Sequence, residues 1–157
     1  MVSQSEYKRK FLVVIDATPE CERALTFAAY RVKRTGGTVV LMSVVQKPEF
    51  IGLGVEDVLR AEAVEEAERN LDTRLARIRD IGDVRSESVI REGEASEEIE
   101  RVIDQDRDIA ILVLAASTTG EGPGPLVMHF AGRANALPIP LTVVPGGMSD
   151  EEIIAIC

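Results

Sequence analysis

The residues most suited to chemistry lie in the stretch AASTTGEGPGPLVMHFAGR, Ala115 to Arg133, which directly follows the apolar run IAILVLAA. A glycine-rich loop between a buried strand and a helix can cradle phosphate through its backbone N–H groups. Pro123 and Pro125 each remove one such donor, and Glu121 adds a negative charge. Two interpretations follow, a phosphate loop or a Pro/Gly turn that redirects the chain. The candidate phosphate-binding glycines are Gly120, Gly122 and Gly124.

Two charged side chains are further candidates for the same site. Arg133 would offset Glu121 as a bidentate phosphate donor, and otherwise it is a solvated residue late on a helix. Asp16 ends the apolar run FLVVID, where a carboxylate faces the ligand crevice of a parallel sheet. The alternative role of Asp16 is to cap the next helix alongside Thr18.

Other reactive side chains do not form a catalytic or metal-binding pattern. His129 is the one histidine, and it has no Ser, Cys or paired carboxylate at convincing spacing. Cys21 and Cys157 lack metal or redox spacing, which fits a reducing cytoplasm. Cys21 is expected in a first helical turn, where the helix dipole would lower its pKa, but it is interpreted as structural. We therefore assign neither catalytic residues nor metal ligands, and we do not expect an enzyme.

The charge balance limits the classes of partner. The 157 residues carry a net charge of −9, which repels nucleic acid and anionic lipid. The short basic run YKRK, Tyr7 to Lys10, is interpreted as a solvated edge. The chain has no apolar run near the roughly 20 residues that span a bilayer, and its polar N-terminus lacks a signal-peptide core. We expect a cytoplasmic protein that binds neither nucleic acid nor membrane.

Apolar runs alternate with amphipathic segments along the chain, which predicts strands and helices in turn. Strands are predicted at Phe11–Asp16, Thr38–Val45, Arg85–Arg91, Ile109–Ala116 and Ile139–Gly146. Helices are predicted between these strands. The first helix has Thr18 as its N-cap and Pro19 as its first residue. The other helices are predicted over Val55–Ile81, Glu92–Gln105 and Pro125–Leu137.

This alternation predicts a doubly wound α/β fold with a five-stranded parallel sheet and helices on both faces. Ligands of such folds bind outside the carboxyl ends of the strands, near the switch point in strand order. We predict one domain, residues 1–146, followed by a tail, residues 147–157. In that tail, Ser149 and Glu152 have the spacing of a helix capping box.

The ordered segments KFLVVIDATPECERALTFAAYRVKRTGGTVVLMSVV, VIREGEASEEI and LPIPLTVVPG resemble the universal stress protein family. The resemblance implies a Rossmann-like fold of the adenine nucleotide alpha hydrolase type and a small cytoplasmic protein linked to stress survival. It also implies a homodimer that pairs through the last strand, with no physiological partner indicated. One branch of the family binds ATP or AMP, and there Asp16 and Val44 correspond to residues near the adenine and ribose.

That binding branch carries Gly-x-x-Gly, nine residues, then Gly-Ser or Gly-Thr. Gly122 and Gly132 have the nine-residue spacing. However, Thr119 stands where the motif has its first glycine, and Arg133 stands where it has Ser or Thr. Counting back from Pro138 instead places the expected Gly-Ser pair at Val127 and Met128. The resemblance therefore implies weak or lost nucleotide binding. The alternatives are an ATP- or AMP-binding switch or slow ATPase and, less favoured because only 4% of residues are aromatic, a flavodoxin-like protein.

Overall fold

The chain folds around a five-stranded parallel sheet with helices on both faces, as the sequence predicts. The computed structural model describes residues 9–157. Parallel strands need long crossovers, and the first four helices supply them. The elements are β1 (Lys10–Val14), α1 (Cys21–Thr35), β2 (Thr38–Val45), α2 (Val55–Ile81), β3 (Arg85–Glu92), α3 (Ala95–Gln105), β4 (Ile109–Ala116), α4 (Pro125–Gly132), β5 (Leu141–Pro145) and α5 (Asp150–Ile156).

The strand order is β3-β2-β1-β4-β5, which puts the switch point between β1 and β4. Val13 of β1 pairs with Leu41 on one side and with Val113 on the other. All three side chains are fully buried, because these strands are covered on both faces. Within residues 9–157 the sheet edges are β3 and the last strand, β5.

Two apolar layers flank the sheet, and β1 contributes to both by alternation of its side chains. Val13 and Ile15 enter the layer formed with α1, α2 and α5. Leu12 and Val14 enter the layer formed with α3 and α4, where Phe130 is fully buried. Within residues 9–157, no helix combines the length and hydrophobicity needed to cross a membrane.

Helix α1 begins at Cys21, two residues later than Pro19, so the prediction of Thr18 as its N-cap is wrong. The Asp16 carboxylate accepts a hydrogen bond from the Thr18 N–H at 2.8 Å, and this closes a turn before the helix. Such local bonds compete with helix formation. The N-cap is Glu20.

Helix α4 ends at Gly132, five residues short of the predicted Leu137. The Arg133 carbonyl accepts hydrogen bonds from the N–H groups of Ala136 and Leu137, so the chain continues as a turn. Pro138 disfavours helical conformation at Leu137. The helix therefore ends at Gly132, and the residues that were predicted to continue it form a turn instead.

The tail predicted for residues 147–157 contains helix α5, which packs on α1. The Ser149 hydroxyl accepts a hydrogen bond from the Glu152 N–H at 3.1 Å, which confirms the predicted cap. Ile153 is fully buried, and Arg23 of α1 forms an ion pair with Asp150 at 2.6 Å.

The run YKRK is only partly described, because Tyr7 and Lys8 lie outside the described residues. Lys10 starts β1, and its ammonium forms ion pairs with Asp106 at 2.8 Å and with Glu87 at 3.1 Å. The hydrogen bond with Asp106 is the main cause that raises the pKa of Lys10. This lysine therefore links β1 to the end of α3 and to the edge strand β3.

Candidate functional site

Two loops meet beyond the carboxyl ends of β1 and β4, the neighbouring strands at the switch point. One is the turn of residues 15–20, and the other is the glycine loop of residues 117–124. The Thr118 hydroxyl donates a hydrogen bond to Glu20 Oε1 at 3.1 Å, which joins the two. The candidate site is thus the place where doubly wound sheets bind ligands.

Asp16 is exposed on the turn after β1. Its Oδ1 accepts hydrogen bonds from both the N–H and the hydroxyl of Thr18. Its Oδ2 has no hydrogen-bond partner among residues 9–157. The carboxylate therefore caps its own turn with one oxygen and leaves the other free to accept a hydrogen bond, whereas the alternative role as a cap of α1 does not occur.

Val44 lies at the same edge, half-buried near the end of β2. The β1–β2 register pairs Val14 with Met42, and the Ile15 N–H continues it by donating to the Met42 carbonyl at 2.7 Å. The register extended by two residues sets Asp16 beside Val44. The structure therefore places these two predicted residues at the same end of neighbouring strands.

Glu20 is a buried acid that the sequence reasoning missed. The hydrogen bond from its own N–H is the main cause that lowers the pKa of Glu20, and hydrogen bonding from Thr118 lowers it further. Burial opposes this shift, since it disfavours the charged form. Glu20 is one of several acids near a helix start, and no local sequence signal sets it apart.

The glycine loop holds its shape through backbone conformation. Its three glycines have positive φ of 91°, 83° and 100° at Gly120, Gly122 and Gly124. A Cβ at Gly120 or Gly122 would meet no atom within 4 Å, so glycine is required there by conformation and not by space. The Ser117 N–H closes the loop by donating to the Pro123 carbonyl at 2.9 Å.

The loop and the first turn of α4 present unpaired backbone donors. Among residues 9–157, no hydrogen-bond acceptor is found for the N–H groups of Gly120, Glu121, Gly122, Gly124, Leu126 and Val127. Donors at a helix N-terminus can hold an anion. Glu121 is exposed among them and opposes that use.

Arg133 lies away from these donors, at the opposite end of α4. The eight residues of α4 span about 12 Å at 1.5 Å per residue. Arg133 Nε lies 3.5 Å from Glu100 Oε1, and His129 Nε2 lies 3.5 Å from the same oxygen. The structure therefore separates Arg133 from Asp16, Val44 and the glycine loop.

Cys21 lies in the first turn of α1, as expected, but burial raises the pKa of its thiol. The helix dipole alone would lower this pKa, but burial outweighs it because the side chain is only 3% exposed. Residues 9–157 contain no group of three or more His, Cys, Asp or Glu side chains placed to hold a metal ion.

Comparison with solved structures shows the same fold in several organisms. The universal stress protein UspA of Lactobacillus plantarum is 18% identical, with a TM-score of 0.76 over 88% of this chain and 98% of that chain. A universal stress protein of Archaeoglobus fulgidus in complex with dAMP is 18% identical, with a TM-score of 0.60 over 88% and 98%. An Arabidopsis thaliana family protein with AMP bound is 18% identical, with a TM-score of 0.63 over 91% and 94%.

No curated protein sequence matches this chain closely. The model of the Universal stress protein family matches residues 8–145, which include the sheet and every residue of the candidate site. The match agrees with the five-stranded parallel α/β fold. The chain therefore belongs to the universal stress protein family.

Proposed function

We propose that this chain is a stress-response protein that works in the cytoplasm as a homodimer and binds adenine nucleotide weakly, without catalytic turnover. The observation that carries the proposal is the glycine loop. It lies where this fold binds ligands, but it lacks the Gly-Ser pair that the resemblance expects. The loop lies beside Asp16 at the switch point and offers unpaired N–H donors. Adenine nucleotides fit because two solved relatives hold dAMP and AMP.

Two features of the loop argue for weak binding. Glu121 would lie near a bound phosphate and repel it. Val127 and Met128 stand where the resemblance expects Gly-Ser, so no hydroxyl donates there, and Val127 is buried. Arg133 lies too far away to supply compensating charge.

Titration calorimetry with AMP and with Mg-ATP tests nucleotide binding. We expect a Kd of about 1 mM or weaker, near −4 kcal/mol. Glu121→Gln should tighten binding because it removes the repulsion. Glu151→Gln, an exposed acid of α5, is the control and should leave Kd unchanged. A Kd below about 10 μM for the wild type would overturn the proposal of weak binding.

The alternative is an AMP- or ATP-binding switch or a slow ATPase. The unpaired N–H donors and the nucleotide-bound relatives favour it. Tight binding in the same titration would support a switch. Release of inorganic phosphate from ATP, measured against a Gly122→Val variant with a blocked loop conformation, would support an ATPase.

The homodimer is proposed to form through β5. Within residues 9–157 this strand pairs with β4 alone, and Val143 at its centre is 37% exposed. An apolar edge strand of this kind needs cover. Light scattering after size exclusion should give twice the 17.1 kDa mass of the chain. Val143→Lys should give a monomer, whereas Ser88→Lys on the opposite edge strand should not. A monomeric wild type at micromolar concentration would contradict the dimer.

A further inference from the structure

Exposed apolar side chains concentrate after β2, in the loop that leads to α2 and in the first turns of that helix. Six of the ten large apolar side chains exposed in residues 9–157 fall between positions 50 and 59. Scattered exposed apolar residues are ordinary, but a contiguous patch marks an interaction surface. We call this surface the β2–α2 patch, and its residues are Phe50, Ile51, Leu53, Val55, Val58 and Leu59.

The helical part of the patch continues the face by which α2 packs on the sheet. Leu59, Ala63, Ala67 and Leu71 recur every four residues and so share one face of the helix. Ala67 and Leu71 are buried, Ala63 is half-buried and Leu59 is exposed. The 12 residues from Val55 to Glu66 span about 18 Å. The apolar face is therefore buried at Ala67 and Leu71 and becomes exposed toward the start of α2 within residues 9–157.

The loop part of the patch is held in place on the helix start. The Glu56 carboxylate accepts a hydrogen bond from the Ile51 N–H at 2.6 Å and another from the Gly52 N–H. Between two glycines with positive φ, Leu53 has a φ of 62° and a fully exposed side chain. A leucine in this conformation is strained, and such strain clusters at functional sites. The loop thus holds a large apolar side chain out in solvent.

The charge around the patch indicates what would cover it. From Glu49 to Glu66 there are six acids and one basic residue, Arg60. Arg60 is already paired with Glu92 at 2.9 Å and with Asp57 at 3.5 Å. A second copy of this surface or an anionic lipid would meet like charge. A positively charged partner would meet complementary charge.

We propose that the β2–α2 patch binds a basic amphipathic helix of a partner protein. The apolar side of that helix packs on the patch, as in other helix-in-groove interfaces. Its Lys and Arg side chains pair with the exposed acids Glu62 and Glu66, which lie on the same side of α2 as Leu59. The patch shares no residue with the proposed nucleotide site, so binding of the helix and binding of the nucleotide can be tested, and can fail, independently.

Fluorescence anisotropy with a synthetic leucine–lysine amphipathic helix of about five turns tests the proposal. The variant Phe50→Ser/Leu53→Ser/Val58→Ser keeps the net charge and should weaken binding at least about tenfold. The control Met128→Ser/Ile154→Ser removes exposed apolar side chains elsewhere and should bind like the wild type. Equal thermal unfolding of both variants establishes that folding is unaffected.

Two control peptides separate charge from apolar contact. A leucine–glutamate helix should not bind, because its acids face those of α2, and a serine–lysine peptide should bind weakly, because it lacks the apolar side. Equal binding of the leucine–lysine helix to the triple-serine variant would overturn the proposal. So would loss of a wild-type oligomer in that variant, which would assign the patch to a second copy, or patch-dependent binding to phosphatidylserine vesicles, which would assign it to lipid.

Discussion

Thr118 and Glu20 are joined by a hydrogen bond of 3.1 Å although 98 positions separate them in the sequence. The bond ties the loop after β4 to the turn after β1, across the switch point of the sheet. Asp16 lies on the same turn, and its carboxylate holds Thr18. The two loops that form the candidate site are therefore directly connected, so a substitution in one loop should affect the conformation of the other.

The stabilising effect of Glu20 should depend on pH. The pKa of this carboxyl lies below its ordinary value of 4.5 in the folded protein, so folding favours the charged form. Its contribution is fully present above about pH 4.5 and is lost as the pH falls through the lower folded value. Urea unfolding between pH 7 and pH 3 should show this extra loss for the wild type but not for Glu20→Gln. Parallel pH profiles for the two proteins would contradict the prediction.

Gly146 should not tolerate a side chain. A Cβ there would lie 2.3 Å from the Ala116 carbonyl oxygen and 2.8 Å from Glu20 Cγ. Gly146→Ala should lower the free energy of unfolding by about 1–3 kcal/mol, the usual range for overpacking. Gly132→Ala is the matched control, because a Cβ at the end of α4 meets no atom within 4 Å. It should be neutral or stabilise by about 0.5–1 kcal/mol in urea unfolding.

Helix α5 should contribute to the stability of the whole fold. Ile153 is fully buried against α1, whereas its neighbour Ile154 is 41% exposed. Ile153→Ala should lower the free energy of unfolding by about 2–5 kcal/mol. Ile154→Ala should change it by about 0.5 kcal/mol or less. Equal effects of the two substitutions in urea unfolding would show that α5 does not pack as described.

Both thiols should be protected in the native protein. Cys21 and Cys157 are free and buried, and burial raises the pKa of each. Because the thiolate is the reactive form, a disulfide reagent at pH 8 should label neither quickly without denaturant. Both should react at once in concentrated urea. Rapid labelling of the native protein, assigned by mass spectrometry of its peptides, would disprove this protection.

Local patterns account for the elements that were predicted correctly. Continuous apolar runs indicate strands buried on both faces, and the four-residue spacing of Ala67 and Leu71 indicates the packed face of α2. These patterns reflect the repeat of each element, so the order of strands and helices follows from them. Helix ends were less predictable, because the turn at Asp16 and the turn after Gly132 depend on competing hydrogen bonds.

The sequence alone thus determined the parallel α/β class, the family resemblance and the position of Asp16, Val44 and the glycine loop at strand ends. Only the tertiary structure decided which of these residues meet. It joined Thr118 to Glu20 by a hydrogen bond, placed Arg133 at the far end of α4 and, among residues 9–157, left the β2–α2 patch exposed. The physical reason is that side-chain periodicity is local, whereas these relationships depend on where each strand enters the sheet and where the sheet ends.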